Sequence, residues 1–126
     1  MLARLALFTI AILSFLTAQV PGAYTGTWSS AANGGGGKLM LTFDAEALSS
    51  ASFSLQGQDV KTKPISIKKD GDSVEFVFEY TLDGNVLRSK MQGTASPLGV
   101  KGKYKSTTAD GTTPVDEGTW EVTLKP

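Results

Sequence analysis

From residue 24 to residue 125, large apolar side chains recur at every second position in short runs, and the runs are separated by turn-forming residues. The breaks fall at 33–37, 44–50, 56–59, 70–72, 83–85, 96–99 and 109–118, leaving eight segments. A period of two buries one face of a strand, and a Gly or Asp-Gly break supplies the positive φ of a tight hairpin. In the first segment Tyr24, Gly26 and Trp28 alternate with threonine and serine; in the second Leu39, Leu41 and Phe43 face in and Met40 faces out. Ala51, Phe53 and Leu55 follow, then Ile65 and Ile67, then the strongest run, Val74, Phe76, Phe78 and Tyr80. Leu87, Ser89 and Met91 form the sixth inner face, Val100, Gly102 and Tyr104 the seventh, and Trp120, Val122 and Leu124 the last.

These runs predict an all-β fold with short sequential connections, and strands so connected pair with their chain neighbours. Eight strands in an up-and-down antiparallel meander can close into a barrel, which removes exposed edges; a two-sheet β-sandwich is the alternative. Pro64 cannot donate to a ladder, so it is expected at a bulge or at an unclosed seam. Residues 44–50 could form one helical turn capped by Asp44. An outer-membrane barrel is disfavoured, because it would turn Trp28, Phe76, Phe78 and Trp120 to lipid and pack Lys38, Lys68, Glu75, Glu79, Lys101, Lys103, Lys105 and Glu121 into the lumen.

The first eighteen residues differ in kind. Arg4 precedes an uncharged apolar run over residues 5–18, as in a secretory signal peptide. That run is shorter than the roughly 20 residues a membrane-spanning helix needs. Cleavage after Ala18 places Leu16 at the minus-three position, and cleavage after Ala23 places Pro21 there; Ala18 is favoured. The expected organisation is a signal peptide over 1–18 and one β-barrel domain over 19–126, secreted or periplasmic and not membrane-spanning once the signal is removed.

Removing Arg4 takes 12 basic residues to 11 against 12 acidic ones, a formal charge of minus one. That balance gives no reason to expect nucleic acid as a partner. Cysteine and histidine are both absent, which removes thiol nucleophiles, the usual base of a Ser-His-Asp triad and the commonest zinc ligands. The chain therefore reads as a non-enzyme without cofactor or metal. A carboxylate-based hydrolase is the remaining enzymatic alternative, yet Glu75 and Glu79 fall on the polar face. Asp70-Gly71-Asp72 reads as a hairpin turn rather than a calcium loop, and no helix follows Gly34 to cradle a phosphate. The lysines at 101, 103 and 105 read as the solvent side of one strand.

Gly26-Thr27-Trp28 opening the first strand, the run of consecutive hairpins, and Gly118-Thr119-Trp120 opening the last make the chain resemble the calycins, the lipocalin and avidin type of meander barrel. It also resembles small secreted bacterial proteins of unknown role. The resemblance implies that Trp28 plugs one end of the barrel. Where lipocalins pack a late basic residue across that tryptophan, the nearest equivalent is Lys125, and Arg88 lies in strand six.

The candidate ligand site is the interior set Tyr24, Trp28, Phe43, Phe53, Phe76, Phe78, Ser89, Tyr104 and Trp120, with Tyr80 beside it. Tyrosine hydroxyls, indole N–H groups and Ser89 would orient a small apolar or aromatic ligand, and inward Gly26 and Gly102 would leave it space. The same residues are also what the core of a disulfide-free domain requires. A ligand-free envelope-associated or inhibitor-like module, acting through the loops at 34–37 and 107–118 on a protein partner the sequence does not name, is the second reading.

Overall fold

The computed structural model describes residues 21–32, 34–44 and 47–125. The expected signal segment and its favoured cleavage site lie outside them. Among the described residues nine antiparallel strands form one curled, half-barrel sheet: β1 (Gly22–Ser30), β2 (Gly36–Phe43), β3 (Leu48–Leu55), β4 (Gln58–Lys61), β5 (Lys63–Asp70), β6 (Ser73–Leu82), β7 (Asn85–Ser96), β8 (Gly99–Thr108) and β9 (Pro114–Leu124). Eight of them are the eight predicted segments. The ninth, β4, occupies part of the 56–59 stretch read as a break, because Gly57 at positive φ supplies the turn and pairing resumes at once, Gln58 opposite Leu55.

Every strand pairs with its chain neighbours except β4 with β5, and β1 pairs with β9, so the sheet joins its first and last strands and opens between the fourth and fifth. The register explains the opening. β4 runs alongside β3, from Gln58 opposite Leu55 to Lys61 opposite Ser52, whereas β5 runs alongside β6, from Lys63 opposite Glu79 to Asp70 opposite Ser73. Both run in the same direction, so residues 58–70 make one extended stretch that changes partner at Thr62. There the Thr62 hydroxyl donates to the Ala51 carbonyl at 2.6 Å, a side-chain bond standing where a ladder bond would be. Pro64 follows two residues later, in the edge strand and beside a register shift between Pro64 and Ser66. It thus meets both expectations for a residue with no N–H to give. The shift also turns Ile65, expected to face in, out to 40 % exposure, while Ile67 packs against the core.

Among the described residues of 44–50, none is helical. Leu48 already belongs to β3, and the Asp44 N–H donates to the Ala47 carbonyl; Ala45 and Glu46 are outside the described residues. Among the described residues no helix is long and apolar enough to cross a membrane.

The concave face holds the core. Leu39, Leu41, Phe43, Phe76, Trp120 and Val122 are all but inaccessible, while Lys38, Lys68, Lys101, Lys103, Lys105 and Glu121 are exposed on the other face. The lysine row of β8 is answered on β9, where Lys101 sits opposite Glu121 and Lys105 opposite Glu117. Gly26 and Gly102 do not leave interior space. A Cβ on Gly26 would stand 1.9 Å from the Glu121 carbonyl oxygen, and one on Gly102 1.8 Å from that of Gln92. Both positions let neighbouring backbones close on each other where the sheet bends.

Candidate functional site: an interior cavity

The interior is divided along the strands. Toward the end formed by the 44–47, 71–72 and 97–98 connections, the rings lock together: Tyr24 meets Phe43 edge-on at 5.5 Å, Phe43 meets Phe76 at 5.8 Å, and Phe76 meets Trp120 at 5.5 Å. Such edge-to-face pairs set the positive rim of one ring against the negative face of the next. This chain of four runs across the curl from β1 and β2 through β6 to β9, and it leaves that end filled.

Toward the opposite end a cavity of about 110 Å³ remains. Its rings are Trp28, Phe53, Phe78, Tyr80 and Tyr104, and Leu39, Leu87 and Met91 complete the apolar wall. The mouth is formed by Leu55, Leu82 and Val115; Val115 is 50 % exposed. Phe53 packs edge-on to Tyr80 at 5.0 Å, and Trp28 is edge-on to both Phe53 and Tyr104.

Of the nine predicted site residues, five therefore line the cavity (Trp28, Phe53, Phe78, Ser89 and Tyr104) and four (Tyr24, Phe43, Phe76 and Trp120) form the closed plug. Trp28 and Trp120 face each other in the β1–β9 register, but their indoles reach in opposite directions. The Trp28 N–H donates to the Ser54 carbonyl of β3 at 3.0 Å, and the Trp120 N–H donates to the Lys103 carbonyl of β8 at 3.0 Å. Trp120 also lies against Gly93, where a Cβ would stand 2.8 Å from its ring. The indole N–H groups expected to orient a ligand are thus both committed to the backbone.

One wall of the cavity is polar. Tyr80 donates from its hydroxyl to Ser106 Oγ at 3.2 Å, and Ser106 shares a short hydrogen bond with Ser89, its register partner across β7 and β8. Both serines are buried. Nearer the mouth the Asp116 carboxylate accepts from Tyr104 at 2.7 Å through one oxygen and from Ser30 at 2.7 Å through the other. Burial first, then the hydrogen bond and the negative charge of Asp116, push the Tyr104 phenol well above the ordinary tyrosine value. Asp116 is the one carboxylate among the described lining residues.

Ser106 and Asp116 were missed from the sequence. Ser106 continues the inward alternation of Val100, Gly102 and Tyr104 by one step, so the signal was there. Asp116 sat in a stretch read as loop; in the structure it is the register partner of Ser106, and the shift between Ser106 and Thr107 bulges the Val115 region outward.

The two glutamates considered for hydrolysis are on the convex face. Glu79 pairs with Arg88 at 3.0 Å; Glu75 accepts from Gln92 at 3.0 Å and lies 3.7 Å from Lys90. Lys125 lies beyond β9, its backbone N–H donating to Ala23 near the start of β1. Trp28 is five positions further along that strand, roughly 17 Å away at the usual rise per residue. Among the described residues no cluster of three or more acidic side chains is placed to hold a metal ion.

No protein-family model, no curated protein and no solved structure matches the chain.

Proposed function

We propose that this chain is a secreted or periplasmic, calycin-like binding protein that takes a small apolar or aromatic molecule into its interior. The observation that carries the reading is the cavity of about 110 Å³ left open beside a tightly packed plug. A domain without disulfides gains stability from every ring it buries, so space left within an aromatic interior calls for a use. Apolar cavities of about 150 Å³ bind benzene, and this one is of the right order for a single ring. Secretion rests on the basic start and apolar centre of residues 1–18, and the calycin likeness on Gly26-Thr27-Trp28 and the meander.

The test is a thermal shift and tryptophan-fluorescence titration of the purified protein with toluene. A ligand at a hundred times its Kd raises stability by about 2.7 kcal/mol, so saturable quenching and a Tm rise of several degrees are expected. Trp28→Phe should remove most of the quenching, since Trp28 touches the cavity and Trp120 does not. A folded protein with neither response contradicts the reading.

A further inference from the structure

The polar wall of the cavity has an odd proton. Tyr80, Ser89 and Ser106 each carry one hydroxyl proton, and two hydrogen bonds join them: Tyr80 to Ser106, and Ser89 with Ser106. Tyr80 is the donor in the first. In the second, whichever serine donates, the proton of the other is left over, and no further side-chain hydrogen bond of these three residues exists among the described residues. Ser106 is 2 %, Ser89 4 % and Tyr80 8 % exposed, so solvent does not take that proton in bulk. All three residues line the cavity. A buried donor without an acceptor is unfavourable, and buried polar groups in folded proteins are almost always paired. What enters this cavity therefore meets an unspent hydrogen-bond donor on one wall, and apart from Tyr104 and Asp116 toward the mouth the rest of the lining is apolar.

The second constraint is charge. The mouth side carries Asp116, whose two oxygens already hold Tyr104 and Ser30. No lysine or arginine lines the cavity among the described residues. An anionic ligand would lose its hydration, find no cation, and face a carboxylate, which is unfavourable in a low-dielectric interior.

We infer that the cavity selects a neutral, single-ring molecule bearing one hydrogen-bond acceptor, and that the Tyr80, Ser89 and Ser106 hydroxyls form its recognition element. The inference rests on the binding function proposed above and adds the chemical class of the ligand. A pure hydrocarbon ring fits the walls and leaves the proton unspent. A ring with a ketone, ether, nitrile or phenol oxygen or nitrogen fills the same space and accepts it. A carboxylate-bearing ring is rejected.

The test compares toluene, benzonitrile and benzoate by titration calorimetry on the wild-type protein and on the triple variant Tyr80→Phe, Ser89→Ala, Ser106→Ala. Removing all partners of a hydrogen-bonded set together is far milder than removing one, because no orphan is left. The variant should therefore fold, which its Tm and circular dichroism report. The expected result is that the affinity ratio of benzonitrile to toluene falls by roughly tenfold in the triple variant, the size of one net hydrogen bond, while toluene binding is kept or improved. Benzoate should bind at least tenfold more weakly than benzonitrile to the wild type. If toluene and benzonitrile both bind and their ratio is the same in the two proteins, the hydroxyls do not recognise the ligand, and the inference is wrong while the binding function stands. If benzoate binds as well as benzonitrile, the restriction to neutral ligands is wrong. If no ring binds the folded wild type, the binding function fails and takes the inference with it.

Discussion

Tyr104 ties the cavity wall to the β9 strand, and its chemistry is set by where it lies. Burial and the adjacent Asp116 carboxylate favour the neutral phenol, so its folded pKa is raised. A group raised in this way contributes stability that is fully present below the unfolded value of about 10. The contribution drains away as pH climbs from there toward the folded value. The difference between absorbance titrations of wild-type protein and Tyr104→Phe should accordingly rise well above pH 10, and a difference centred at pH 10 would count against both the burial of Tyr104 and its Asp116 contact. Asp110 is the opposite case. The Thr108 hydroxyl, then the Thr112 N–H and hydroxyl, hold its carboxylate to about 2 in an exposed turn. Its contribution is present above the unfolded value of about 3.9 and is lost as pH falls through about 2. The Thr112 amide shift should therefore titrate near pH 2; a midpoint near pH 4 would show the turn to be unformed. At Gly102 the constraint is backbone contact with Gln92. Gly102→Ala should destabilise by about 3 kcal/mol, the upper range of overpacking, in a denaturant melt where Ser52→Ala serves as the mild comparison.

At the scale of elements, the partner change at Thr62 makes residues 58–70 the weak stretch of the sheet. β7 and β8 are paired on both sides along most of their length, whereas β4 and β5 each have one ladder. Amide exchange follows local opening free energy. Protection should therefore be lowest across Gln58–Lys61 and Lys63–Asp70 and highest in β7 and β8; uniform protection would mean that the seam is closed in solution. The strands themselves were legible in the sequence because alternation is a local signal, and Phe76, Phe78 and Tyr80 declare a buried face wherever they are placed. β4 was not, since two of its four residues are Gln58 and Asp59 and its pairing depends on which strand it meets. Gly26 and Gly102 were read as space because a missing side chain looks the same in sequence whether a cavity or a neighbouring carbonyl fills its place.

For the whole molecule, the division into plug and cavity is what matters, and it was invisible in the sequence. Phe76 and Phe78 are two residues apart on the same face of β6, yet one is locked between Phe43 and Trp120 while the other borders open volume. The register sets different neighbours beside the two rings, Met91 opposite Phe76 and Ser89 opposite Phe78, which alternation along β6 alone does not report. Phe76→Ala should cost about 3–5 kcal/mol in a denaturant melt, as expected for a ring removed from a filled core. Phe78→Ala should cost less and enlarge the toluene site, seen as a changed affinity; equal losses with no change in binding would erase the distinction between the two ends. The most direct measurement is a carbon-13 methyl spectrum of protein labelled at leucine, valine and methionine, recorded with and without toluene. Saturable shifts confined to Leu39, Leu55, Leu82, Leu87, Met91 and Val115, with Leu41, Val74 and Val122 unmoved, are the predicted result. Shifts spread over both groups, or none in either, would contradict an interior site and move the search for function to the loops.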